Sequence, residues 1–141
     1  MNRPLTAEAL KNLDELPDAI IGAAMEVHRV LGPELLESTY EMCRCRELSF
    51  RGIPFERQVP IPVEYKGVKL DCGYRADLVV DGTILVEIKA IDSLLAIHEA
   101  QLLSYLKLGG WKVGLLINFN LELLKHGLRR RVLGLVEEVR L

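Results

Sequence analysis

The 141-residue chain has no basic excess: 18 Lys and Arg stand against 20 Asp and Glu, for a net charge of −2. A broad electrostatic footprint for nucleic acid is therefore missing, although bound cations or a local basic patch can supply positive charge where it is needed. Cysteine is scarce. Cys43, Cys45 and Cys72 cannot all pair within one chain. The i, i+2 spacing of the first two points them apart on a helix, which excludes a compact zinc cluster. Reduced thiols and a cytoplasmic location are expected. The opening MNRPLTAEAL lacks the apolar core of a signal peptide. No apolar run approaches the ~20 residues that span a bilayer, so no membrane partner is expected. There is no repeat and no low-complexity tract.

What is present is one domain's worth of core, half of the residues being hydrophobic. The expected single domain covers 1–141, with 1–16 loosely ordered or helical. Pro17 suits the first turn of a helix running to about Leu31 and stopped by Gly32. A second helix spans about Leu35–Phe50. Extended segments follow at Phe55–Val63 and Val68–Cys72, and Pro60 and Pro62 restrict the first to a sheet edge or an irregular path. A hairpin occupies 74–90. Asp92 or Ser93 caps a helix to Leu108, stopped by Gly109-Gly110. Lys112–Phe119 reads as a buried strand, and the tail carries Arg129, Arg130 and Arg131. This order predicts an α/β fold with a mixed sheet flanked by helices.

The hairpin YRADLVVDGTILVEIKA raises the functional question, because Asp77, Glu87 and Lys89 interrupt its most strand-like stretch. Alternate strand residues share a face. Ala76, Leu78 and Val80 form one apolar set; Ile84, Val86 and Ile88 form another. A strict two-residue Asp81-Gly82 turn sends these sets to opposite faces, which burial penalises. A three-residue loop or a bulge unites them, and also brings Asp77, Glu87 and Lys89 to one face. Two adjacent carboxylates repel, and a hard divalent cation compensates them well. The competing reading is a Lys89 salt bridge on a solvated face. On the third helix His98, Gln101 and Tyr105 fall within a ~60° sector bordered by Leu94 and Leu102, so three polar groups need partners. On the second, Glu37, Tyr40, Glu41 and Arg44 share one side.

Taken together, IIGAAMEVHRVLGPELLESTYE (20–41), GYRADLVV (73–80), VEIKA (86–90), HEAQLLSYL (98–106) and GLLINFN (114–120) resemble the bacterial GxxExxY proteins. Those proteins are a RecB-like branch of the PD-(D/E)xK nuclease superfamily. The resemblance covers nearly the whole chain. It implies a restriction-endonuclease-like fold and a Mg²⁺- or Mn²⁺-dependent nuclease. Asp77, Glu87 and Lys89 match D…ExK; Gln101 and Tyr105 match QxxxY; Glu37 matches the acidic residue of the upstream helix. The implied metal ligands are Asp77, Glu87, the Ile88 carbonyl and Glu37. Lys89 then positions water, and Gln101 orients Lys89 or a phosphate. Tyr105, Arg75, His98 and Arg44 are candidates for nucleic-acid contact. DNA ranks ahead of RNA as partner, and the small domain favours endonuclease action or a homodimer. The iron–sulfur cysteines of some RecB-like relatives are absent. The pattern's Gly is replaced by Glu34, which suits the positive end of a helix. The rival readings are a non-catalytic nucleic-acid-binding or assembly module and a regulatory scaffold.

Overall fold

The computed structural model describes residues 7–133, with side chains from residue 15 onward. Helix α1 (Ala7–Leu31) leads into α2 (Glu37–Phe50). Pro17 lies inside α1 and not at its start. The stretch AEALKNLDEL before it consists largely of strong helix formers, so the helix is already under way where proline removes one backbone donor. Strands β1 (Phe55–Pro60), β2 (Val63–Tyr65), β3 (Val68–Leu70), β4 (Arg75–Val80) and β5 (Ile84–Lys89) follow. Helix α3 (Ala96–Gly109), β6 (Val113–Asn118), a short 3-10 helix (Leu124–Gly127) and β7 (Leu128–Val132) complete the described residues. The end of the tail lies outside them.

Five strands form one mixed sheet in the order β1-β4-β5-β6-β7. β5 and β6 are parallel, joined by the α3 crossover, and the other pairs are antiparallel. The proline-bearing segment splits. β1 is an edge strand ending at Pro60, and β2 leaves the sheet to pair only with β3 in a separate ribbon.

The β4–β5 register settles the parity question. Val80 pairs with Ile84, so the loop contains Asp81, Gly82 and Thr83. Asp81 and Gly82 have φ of 52° and 67°, as a DG turn requires, and Thr83 is the extra residue. Leu78, Val80, Ile84, Val86 and Ile88 then share one face and pack under α1 and α2 with Ile20, Val27, Tyr40, Leu48 and Phe119. On the other face Val79, Leu85 and Leu116 pack against Leu102 and Leu106 of α3. Gly114 lets that helix approach, since a Cβ there would lie 3.1 Å from both leucine side chains.

One assignment differs. Ala76 packs with Val79 and Leu85, not with Leu78 and Val80. Strand alternation breaks at Asp77, whose backbone N–H goes to a side chain instead of a ladder partner. The facing Gln58 of β1 has φ 50°.

Candidate active site

The break in alternation builds the site. Asp77 N donates to Glu87 Oε2 at 3.1 Å, and Ile88 N donates to Asp77 Oδ2 at 2.9 Å. Each carboxylate is thus anchored by the backbone of the facing strand. Glu87 is 8% exposed. Burial pushes its carboxyl well above the usual carboxylate range, reinforced by a hydrogen bond shared with the Asp77 carboxyl and by the Asp77 charge; the Asp77 N–H and Lys89 act in the opposite sense. Lys89, half-buried, follows Glu87 at the end of β5.

The chain leaving Lys89 is pinned by Asn118. That fully buried side chain donates from Nδ2 to the Ile91 carbonyl at 2.9 Å and accepts from Ile91 N at 3.1 Å. Sequence reasoning missed Asn118; its signal was one amide at the end of an otherwise apolar strand.

Glu37 is the first residue of α2 and is exposed. Partial burial of its carboxyl and then the Asp77 charge raise its pKa, while Lys89 lowers it. The start of α2 therefore sits at the carboxylate pair. The pattern's missing glycine gains a physical reason here. Glu34 precedes the helix with φ 72°, left-handed backbone that glycine adopts without strain, and its N–H bonds to Asn120 Oδ1 at 2.8 Å. Tyr40 is buried, stacks on Phe119 with ring centroids 4.7 Å apart and donates to the Gly32 carbonyl at 2.6 Å. The tyrosine of the pattern thus holds the turn before α2.

From α3, Gln101 Nε2 donates to Tyr105 Oη at 3.1 Å. Burial, and after it the Glu87 charge, raise the Tyr105 hydroxyl above its ordinary value. The helix begins at Ala96, later than Asp92 or Ser93, because His98 Nδ1 accepts the Leu95 N–H at 2.9 Å and serves as the local cap. Gln101 is exposed, so the polar stripe borders the buried face and does not lie within it.

The remaining basic candidates have other surroundings. Arg75 bonds to Asp71 Oδ1 and the Tyr74 carbonyl. Arg44 is 0% exposed, and its three guanidinium nitrogens lack hydrogen-bond partners. Burial pulls its pKa down to about 10 against the opposing influence of Cys45, Asp77, Glu41 and Glu87. A side chain so enclosed presents no surface to a phosphate. Cys43, Cys45 and Cys72 are free.

Among the described residues no three His, Cys, Asp or Glu side chains form a metal cage. The donor set nevertheless fits a hard cation. Two carboxyls are anchored side by side, one of them buried, and a divalent ion compensates such a pair; Mg²⁺ commonly takes one or two carboxylates while keeping its waters.

A five-stranded mixed sheet flanked by helices, with an acidic pair and a lysine at one end, is the architecture of restriction-endonuclease-like proteins. The family model described as the PD-(D/E)XK nuclease superfamily matches residues 14–131, and the chain belongs to that superfamily. No curated protein and no solved structure gives a significant match. No helix among the described residues is long and apolar enough to cross a membrane.

Proposed function

We propose that the protein hydrolyses phosphodiester bonds of nucleic acid with a divalent cation, Mg²⁺ or Mn²⁺. The observation that supports this reading is the reciprocal anchoring of Asp77 and Glu87 with Lys89 two residues further along β5. Asp77, Glu87 and the Ile88 carbonyl would hold the ion, with Glu37 supporting it from α2. A cation bound there supplies Lewis-acid polarisation of the phosphate and neutralises charge.

The protein's own groups do the rest. The Lys89 ammonium is a donor only. It orients the attacking water and offsets charge that grows on the phosphoryl oxygens. Gln101 fixes the Tyr105 hydroxyl, which contacts the nucleic-acid backbone beside Glu87. The test is calorimetric titration with Mg²⁺ and Mn²⁺, together with cleavage assays over single- and double-stranded DNA and RNA. Metal-dependent cleavage that Asp77→Ala abolishes supports the proposal. Metal binding without cleavage of any substrate sinks it.

A further inference from the structure

Aromatic and basic side chains gather between β4, which carries Asp77, and the C-terminal half of α3. Tyr74 immediately precedes β4 and is 43% exposed. Its backbone is fixed from two sides, since its carbonyl accepts from Ile61 N at 3.0 Å and from Arg75 Nη1 at 2.8 Å. Its ring lies 5.7 Å from the ring of Tyr105, whose hydroxyl accepts from Gln101 Nε2. The partner that fixes Tyr74, Ile61, is flanked by Pro60 and Pro62. Both prolines line a cavity of about 350 Å³ between the β2–β3 ribbon and the C-terminal end of α3. Trp111, Lys69, Lys107 and one acid, Glu64, also line it. Gly109 seats the indole, whose ring occupies the space a Cβ would fill.

Accessible rings beside lysines are the recognition chemistry of unpaired nucleic acid, because only an unpaired base offers its face for stacking; here Tyr74 is exposed and Trp111 partly so. The cavity is of the size that encloses a small organic group, and its two lysines outnumber its one carboxylate. We propose, resting on the nuclease reading, that the substrate is single-stranded: from the Asp77–Glu87 pair its strand passes over Tyr74 into this groove, with bases on Tyr74 and Trp111 and phosphates on Lys69 and Lys107. Tyr74 is then a specificity-determining residue that selects unpaired strands.

Trp111 is the chain's one tryptophan, so its emission reports on the groove. The full chain in chelator is titrated with a thymidylate dodecamer and, separately, with a blunt duplex of equal length. The single strand should quench Trp111 and saturate, and the duplex should not. Tyr74→Ala should weaken single-strand binding about tenfold or more, while Tyr74→Phe keeps it. Lys69→Ala combined with Lys107→Ala should flatten the slope of log K against log salt by about 1.4. If Tyr74→Ala does not fold, the lysine pair and the quenching carry the test.

Duplex binding as tight as single-strand binding overturns the inference. So does unchanged Trp111 emission at saturation, or neutrality of the variants. Cleavage is scored separately. A protein that cleaves duplexes alone loses the strand path and keeps the nuclease reading. A protein that binds single strands in the groove yet cleaves nothing with Mg²⁺ or Mn²⁺ keeps the path and loses the catalysis.

Discussion

Asp77 and Glu87 hold one another across two strands: the Asp77 N–H points to the Glu87 carboxylate, and the N–H of Glu87's neighbour Ile88 points to the Asp77 carboxylate. In a regular ladder those N–H groups would meet carbonyls. Spending them on carboxylates fixes both acids and leaves a repulsive, poorly solvated pair.

Relief of that repulsion should be measurable. In chelator, Glu87→Gln and Asp77→Asn are expected to be as stable as wild type or more so, because neither leaves two carboxyl groups to ionise side by side in a buried site. Wild type should gain about 2.7 kcal/mol at a metal concentration of 100 Kd, and the variants much less. Thermal melts with and without Mg²⁺ or Mn²⁺ decide this; equal metal-induced shifts would place the ion elsewhere.

The same pair sets a pH dependence. Glu87 holds its proton more tightly folded than unfolded, so its contribution to stability is complete below the unfolded value, about 4.5. That contribution fades as pH rises through the raised folded value. Metal-free wild type should therefore lose stability progressively above about pH 4.5, and Glu87→Gln should show a flatter profile. Urea denaturation at a series of pH values checks the difference in slope.

Lys89→Ala is expected to keep the fold and the metal affinity. It should slow cleavage by on the order of 10²-fold or more, the loss typical of one positioned catalytic group. Single-turnover rates alongside calorimetry test this. A wild-type rate would remove Lys89 from the catalytic machinery.

Glu34→Gly should stabilise the protein by about 0.5–1 kcal/mol. It removes left-handed strain from a side-chain-bearing residue, and the greater freedom of the unfolded chain offsets part of the gain. Chemical denaturation midpoints measure it, and a destabilised variant would mean that the Glu34 side chain outweighs the strain.

Arg44→Met should be at least as stable as wild type in chelator, since a buried guanidinium without hydrogen-bond partners is replaced by an apolar side chain of similar length. Strong destabilisation in urea titrations would show that the neighbouring acids compensate Arg44 more than its burial costs.

By itself the sequence determined the hairpin, the odd parity of its loop and the polar residues that a core would reject, and the register then chose the three-residue loop over a bulge. Strand period and burial are local rules, so parity alone placed Leu78, Val80, Ile84, Val86 and Ile88 on one face. The mixed sheet followed from element order, and Pro60 and Pro62 narrowed their strand to an edge or an irregular path; the sheet's strand order then placed it at the edge and made α3 the crossover between β5 and β6. Tertiary structure decided what local rules do not reach. Arg44 and Glu37 share one side of α2, yet the packing of that helix buries the first and leaves the second exposed at the acids. His98 caps its own helix because the chain after β5 enters α3 through Leu95 and not through Asp92. Alternation fails at Asp77 because backbone donors there bond to side chains from residues about ten positions away, a choice that exists only once β4 and β5 face each other. Tyr74, silent in any periodicity, lies beside Tyr105 because the sheet and α3 bring together positions 31 residues apart in sequence.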